Sequence, residues 1–316
     1  MYRFSEFKWG LMHICGIAGV AFNGKGEVGQ CLSKMFEGLQ HRGLDSAGVA
    51  LYSGDIMPPD EYMIRVFTKD VIGALSKVST AIASAGGDIR NIRLNSLNGY
   101  NFDLFTIRAK EGNLSEIVRR INGTELSKVL SLGRKMDIIK DTSSAEELDR
   151  NFNLSSFQGS HGIGHVRFST ESRVDLLHAH PFQSFDHLDV AVVHNGQITN
   201  YWNMREKLER RGINFQTEND SELIVHYVID RMMDGGGLSE ALSASVEELD
   251  GPFSYIISTA LEIGMVRDKL GLRPLVILEG EAVRAVASEE NALRMIGAIG
   301  KIRNVKPGEV VCWRVK

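Results

Sequence analysis

The sequence predicts an α+β fold: two β-sheets packed face to face with helices outside, interrupted by a smaller unit of order βαββαβ. Two observations carry this expectation. Segments 17–22, 47–52, 162–168 and 190–193 are apolar almost throughout and punctuated by glycine, the pattern of strands buried on both faces. Between the blocks that hold those strands, residues 60–141 alternate strand and helix periods within a short length, as a self-contained module does. A chain of 316 residues has room for two domains, or for one domain with a large insertion.

In order along the chain, residues 1–14 form a leader with two candidate starts, Met1 and Met12. Residues 17–22 read as a buried strand and Asn23-Gly24 as a turn. Leu32, Met35, Phe36 and Leu39 then mark one helix face at i, i+3, i+4 and i+7. A second strand covers 47–52, and Pro58-Pro59 breaks the pattern. Within the module, Tyr62, Ile64 and Val66 alternate as a strand, and Val71, Leu75, Val78 and Ile82 line a helix. Segments 89–97 and 101–109 read as strands, Leu114, Ile117, Val118 and Ile121 as a second helix, and 128–132 as a last strand. That order is the ferredoxin-like split βαβ arrangement. Residues 143–147 lead out as a loop or short surface helix. Further on, Thr199 is expected to cap a helix through Arg211, Asp220 or Ser221 to cap one running to Met232, and a third helix spans 238–249. Segments 253–260, 265–267, 274–278 and 310–315 complete the strands.

Composition narrows the functional classes. Hydrophobic residues make up 43% and charged residues 24%, which excludes a disordered, collagen-like or coiled-coil chain. The net charge of −4 is spread along the length, without the clustered basic footprint that nucleic acid requires. Residues 9–24 carry no Asp, Glu, Lys or Arg but fall short of the ~20 apolar residues of a membrane helix, so no membrane association is expected. Three cysteines, Cys15, Cys31 and Cys312, with no CxxC pair, point to a reducing, cytoplasmic compartment and to no metal site.

Cys15-Gly16-Ile17 stands at the head of the first strand. Downstream, in order, come Gln40-His41-Arg42-Gly43-Leu44-Asp45-Ser46-Ala47-Gly48, Gly164-His165-Val166-Arg167-Phe168-Ser169-Thr170, His178-Ala179-His180-Pro181-Phe182, His194-Asn195-Gly196 and Asn219-Asp220-Ser221-Glu222. A lone cysteine is most often a small buried hydrophobe, and a lone Asn-Gly is most often a hairpin turn. Six strings in this order resemble the glutaminase domain of class II glutamine amidotransferases, the N-terminal-nucleophile hydrolases that release ammonia from glutamine. The resemblance implies a four-layer αββα fold for residues 15–58 and 150–316, preceded by residues 1–14 as a leader or propeptide.

Amide hydrolysis needs a nucleophile, a base, oxyanion donors and a grip on the rest of the substrate. By resemblance, Cys15 attacks the glutamine side-chain amide, while the Asn195 side chain and the Gly196 N–H form the oxyanion hole. If the mature chain begins at Cys15, its α-amine, with a reference pKa of about 7.7–8.0, serves as the base. Arg167 is the expected clamp on the α-carboxylate, because a guanidinium fork matches two carboxylate oxygens, and Asp220 is the partner of the α-ammonium. Phe168, Thr170 and His180 match pocket-lining positions. His41, Arg42, His165 and His194 also match motif positions, where a structural hydrogen-bonding role fits equally well. Cys31 and Cys312 read as buried small hydrophobes. Ala287-Ser288-Glu289 and residues 305–309 resemble the family's late scaffold signatures.

The module at 60–141 has its own resemblance. Asp70-Val71-Ile72-Gly73-Ala74-Leu75, Gly86-Gly87-Asp88-Ile89 and the βαββαβ order are similar to an ACT domain, a regulatory unit that commonly binds amino acids where its first strand turns into its first helix. The resemblance implies an effector contact at Asp70, Gly73 and Leu75. The whole chain is most similar to stand-alone amidotransferase subunits of split glutamate synthases. That implies glutamine as substrate, no cofactor of its own, an oligomer, and a separate, flavin-dependent synthase subunit that accepts the ammonia. The alternative is a catalytically silent amino-acid sensor, because a retained leader masks the Cys15 amine. A third reading, hydrolysis of another acyl donor, is disfavoured by the pairing of Arg167 with Asp220.

Overall fold

A strand that is apolar on both faces needs cover on both, and this chain supplies it with a second sheet on one side and helices on the other. The computed structural model describes residues 15–167 and 175–315. The chain opens with β1 (Gly16–Gly26), α1 (Val28–Leu39) and β2 (Ser46–Tyr52). Next come β3 (Glu61–Lys69), α2 (Ala74–Ser84), β4 (Asp88–Arg93), the short β5 (Ser96–Leu97), β6 (Tyr100–Arg108), α3 (Leu114–Asn122) and β7 (Ser127–Gly133). The chain continues through β8 (Met136–Asp141), α4 (Ala145–Phe152), β9 (Gly159–Arg167), β10 (Phe182–Gln183), β11 (Ala191–Gly196), α5 (Tyr201–Arg210), α6 (Asp220–Met233) and α7 (Leu238–Glu248). It ends with β12 (Phe253–Ser258), β13 (Glu262–Arg267), β14 (Val276–Glu279), β15 (Val283–Ala287), α8 (Glu290–Met295), β16 (Lys301–Asn304) and β17 (Val310–Arg314).

The first sheet has the antiparallel order β16-β14-β15-β1-β9-β2-β8, and the second β10-β11-β12-β13-β17. Side chains that alternate along a strand sort the core into layers. Ile17, Tyr52 and Ile163 of the first sheet meet Val193, Ile256 and Met265 of the second. Their neighbours Val20, Val49 and Val166 face Leu32, Met35 and Phe36 of α1 and Leu293 of α8. On the far side Val192, Ile257 and Val266 face Leu223, Tyr227 and Leu242 of α6 and α7. The layers therefore run helix, sheet, sheet, helix.

Residues 61–133 form a third antiparallel sheet, β4-β6-β3-β7, with β5 on β6, and α2 and α3 cover one face through Val78, Ile82, Ile117 and Ile121. The sequence reading ends this module at 141. In the structure β8 has already returned to the first sheet, pairing with β2 from Ala47↔Asp141 to Tyr52↔Met136. Two helix starts also differ from expectation. Asn219, not Asp220 or Ser221, caps α6, its side chain accepting from the Ser221 N–H at 2.9 Å, and α5 follows Asn200 rather than Thr199. The polar exit at 143–147 becomes the start of α4, closed by a reciprocal Ser144–Glu147 capping box.

Candidate active site

The ladders decide what meets at the sheet ends. Gly16 pairs with Val166 across β1 and β9, so Cys15 and Arg167 lie at the same end of the first sheet. The end of β11 brings Asn195 and Gly196 to that place from the second sheet. The Asn195 Nδ2 donates to the Cys15 carbonyl oxygen at 2.7 Å and to Ser288 Oγ at 2.9 Å. Arg42 Nη1 reaches the same Cys15 oxygen at 3.3 Å. Ser288 Oγ also receives the Ile17 N–H at 2.9 Å, and Ser288 N returns a bond to Ile17 O. Glu289, next along, takes Arg42 and His41. Burial raises the Glu289 carboxyl, and its hydrogen bonds and charge pairing with those two residues outweigh that and hold it below its usual value.

Gly196 is required where it stands. Its φ is +130°, and a Cβ would lie 2.0 Å from the Pro252 carbonyl oxygen. The turn after β11 is thereby pressed against β12, which fixes the Asn195 amide at the strand's end.

The two expected clamp residues are both buried or nearly so. Arg167 Nη1 donates to the His178 carbonyl at 2.9 Å, and Asp220 Oδ2 accepts from Ile198 N at 3.0 Å. His194 Nδ1 stands 3.6 Å from Asp220 Oδ1 and 3.1 Å from Ser221 Oγ. Burial pushes the Asp220 carboxyl up, but His194 and the backbone N–H groups of Ile198 and Ser221 prevail and hold it ionised below the ordinary range. His180 bonds Ser221 Oγ at 2.7 Å and stacks on His165 with centroids 4.0 Å apart, so its described contacts are with protein groups that brace α6. Burial, then the charges of Arg167 and His194, push His165 down to about 3, which keeps it neutral. Asn195 Oδ1, His180 Nδ1 and His194 Nε2 are buried with no hydrogen-bond partner among the described residues, an orphan cluster of the kind that marks functional sites.

Phe168 and Thr170 lie outside the described residues, as does the leader at 1–14. Asp70, Gly73 and Leu75 sit together at the exposed turn from β3 into α2. There Asp70 accepts from Asn101 Nδ2 at 3.2 Å. Gly73 has φ +85° and open space around its α-carbon, so the left-handed backbone is what demands glycine. Cys31 and Cys312 are partly rather than fully buried, and desolvation pushes both thiols up, Cys312 to about 11. Neither is an activated nucleophile. Sequence reasoning left Ser288 and Glu289 in the scaffold and Arg42 without a settled role, yet all three sit around Cys15. No cluster of three metal-ligating side chains occurs among the described residues. No helix among them is long and apolar enough to cross a membrane.

Layered sheets with a cysteine at the head of a central strand and an Asn-Gly turn closing on it from the facing sheet define the N-terminal-nucleophile class of hydrolase fold. Residues 165–295 match the glutamine amidotransferase domain. The chain is 42% identical over 305 residues to a candidate glutamine amidotransferase of Methanothermobacter thermautotrophicus, covering 96% of this chain and 100% of that one. It is 30% identical to a glutamine amidotransferase-like protein of Rhizobium meliloti over 95% of this chain and 98% of that one. The solved glutamine phosphoribosylpyrophosphate amidotransferase of Bacillus subtilis shares the fold, with a TM-score of 0.60 at 23% identity over 94% of this chain. The chain spans 47% of that enzyme's length. The protein belongs to the glutamine amidotransferase family and is homologous to its class II members.

Proposed function

We propose that the chain is a glutaminase subunit that hydrolyses glutamine to glutamate and ammonia with Cys15 as nucleophile. The Cys15 sulfur adds to the side-chain carbonyl carbon, the C–N bond breaks, and the nitrogen leaves as ammonia after taking a proton. Water then cleaves the thioester, giving glutamate and restoring the thiol. The base is the Cys15 α-amine, exposed when residues 1–14 are removed. Gly196 N–H and Asn195, which shifts one amide proton from the Cys15 carbonyl to the substrate, receive the oxyanion, Arg167 and Asp220 hold the amino-acid end of glutamine, and Phe168, Thr170 and His180 complete the pocket. The observation that carries this reading is the Asn195 amide, a fixed donor 2.7 Å from the main chain of Cys15, delivered by a strand of the opposite sheet.

Ammonia in water is mostly protonated and non-nucleophilic at neutral pH, so the product is passed to a separate synthase subunit of the glutamate-synthase type. The module between the two core segments is read as ACT-like, with an amino acid bound near Asp70, Gly73 and Leu75. Its support is the split-βαβ strand order and the left-handed glycine ahead of α2.

A glutamine analogue carrying an electrophile tests the central step. It should label Cys15 and spare Cys31 and Cys312, and Cys15→Ala should abolish glutamine hydrolysis with the fold intact. Intact mass of the active sample should show a chain beginning at Cys15. Label on either other cysteine refutes the assignment, and full activity with the leader attached removes the α-amine as base.

A further inference from the structure

Away from Cys15, a cavity of about 580 Å³ opens between the inserted module and the core. Lys128 of β7 and Arg119 of α3 border it on the module side, and Lys140 of β8, Phe182 of β10 and Glu222 of α6 on the core side. Lys140 is buried, and its ammonium donates to the carbonyls of Ala179 at 2.7 Å and Pro181 at 3.2 Å. An ammonium has three donors, so one is unspent. Lys128 donates to the Asn122 carbonyl at 3.1 Å. Among the described residues neither lysine forms an ion pair with a carboxylate.

The acids of the cavity are placed differently. Glu222 is consumed by the N–H groups of Gln216 and Thr217, both at 2.7 Å, and by Thr217 Oγ1 at 2.6 Å, with His226 at 3.6 Å. Asp186 stands at the exposed rim. The interior thus sets two lysines against one carboxylate, Glu222, whose oxygens are hydrogen-bonded to neutral donors and whose charge offsets only one of the two, beside apolar walls at Val118, Val129 and Phe182. A charge in such a place calls for a counter-ion.

We propose that this cavity is a second ligand site, for a small molecule that joins a carboxylate to an apolar body. Its carboxylate sits between Lys128 and Lys140, and its occupancy adjusts the grip on glutamine. The second clause rests on the glutaminase reading above. Burial pushes Lys140 down to about 7, with Glu222 and Asp175 opposing the fall, so a bound carboxylate would hold its charge in place.

The route to the glutamine site is short. Phe182 is two residues from His180, whose ring bonds Ser221, and Glu222 lies on the same helical turn as Asp220. Leu176 packs with Phe102 and Leu130 of the module, and Gln183 exchanges two hydrogen bonds with Leu132, each 3.1 Å. Between those anchor points lies the His178 carbonyl that receives Arg167.

Calorimetric titration of the full chain with 4-methylpentanoate, its neutral amide and inorganic phosphate tests the site. The acid should bind, and the amide should bind at least about tenfold more weakly. Lys128→Met and Lys140→Met should each weaken the acid by roughly ten- to a hundredfold, and Lys301→Met, exposed on β16 away from the cavity, should leave it unchanged. Lys128 is only half-buried, so its variant reports even where Lys140→Met fails to fold. Equal binding of acid and amide, retained affinity in Lys128→Met, loss of affinity in Lys301→Met, binding of phosphate alone, or no binding at millimolar acid overturns the proposal. With the acid present, the glutamine KM should shift roughly fivefold or more, and an unmoved KM overturns the coupling. Glutamine hydrolysis measured without any probe keeps the two readings apart: its absence refutes the glutaminase assignment while the titrations still decide the cavity.

Discussion

Two donors converge on the carbonyl oxygen of Cys15, so this residue is oriented by its main chain, and Ser288 is what aims one of them. Ser288 Oγ receives both Ile17 N and Asn195 Nδ2. Ser288→Ala should lower kcat for glutamine by about tenfold with KM little changed, because two buried donors lose their acceptor and the amide is freed to turn. Ser288→Thr, which keeps the hydroxyl, should recover most of the rate; equal losses in both variants would make the residue merely structural. Arg167→Ala acts on recognition instead. Losing charge-assisted bonds worth about 1.5–3 kcal/mol should cost roughly ten- to a hundredfold in kcat/KM for glutamine, and steady-state kinetics would show it.

At the scale of elements, β3 of the module and β8 of the core are pinned by a buried bidentate pair. Arg65 Nε and Nη2 meet the Asp137 carboxylate at 2.8 and 2.6 Å, and Nη1 adds Phe102 O at 3.0 Å. Asp137→Ala leaves a buried guanidinium unpaired and should cost about 3–5 kcal/mol in urea unfolding, whereas replacing both partners by apolar residues of similar volume should restore most of it. Acid should act on β9. His161 and His165 are both pushed down to about 3, burial being the largest cause in each, while the unfolded chain takes protons near 6.5. Stability is therefore full above about pH 6.5 and falls as pH drops toward 3, by up to about 1.4 kcal/mol per pH unit for each histidine. Thermal melts across that range should show the decline, and His161→Gln should lessen the slope. These buried charges also explain what sequence could not reveal. The apolar strands β1, β2, β9 and β12 are legible from periodicity alone, but β8 reads Met-Asp-Ile-Ile-Lys-Asp, and its Asp137, paired with Arg65, and Lys140, hydrogen-bonded to carbonyls, disguise a strand that lies inside the fold. The edge strand β16 carries a polar pattern because, among the described residues, one side has no neighbouring strand. The site strings were visible in order, yet the contact of Arg42 with Glu289 spans 247 positions, a distance that no local pattern encodes.

Over the whole molecule, residues 175–189 form a second tie between the inserted module and the core, beside the Arg65–Asp137 pair. Phe185 and Leu188 pack into the module's core. The Asp189 Oδ1 accepts the N–H groups of Arg134, Lys135 and Met136 at 2.8 to 3.0 Å, clasping the point where the chain leaves the module. Gln183→Ala, remote from the substrate, removes the amide that mimics a strand partner for Leu132 and should loosen the His178 carbonyl from Arg167. The expected result is a glutamine KM raised severalfold with kcat nearly kept, read by steady-state kinetics.

The strand that begins beside Cys15 lies between β9 and β15, which leave the ribosome long after it does. The module, whose strand pairings close within residues 61–133, can form its sheet while synthesis continues, but β1 must wait for residues 283–287 before both its edges are paired. A nascent chain therefore carries Cys15 at the head of a half-paired strand, and the surroundings of this cysteine are completed only after residues 283–287 have been made.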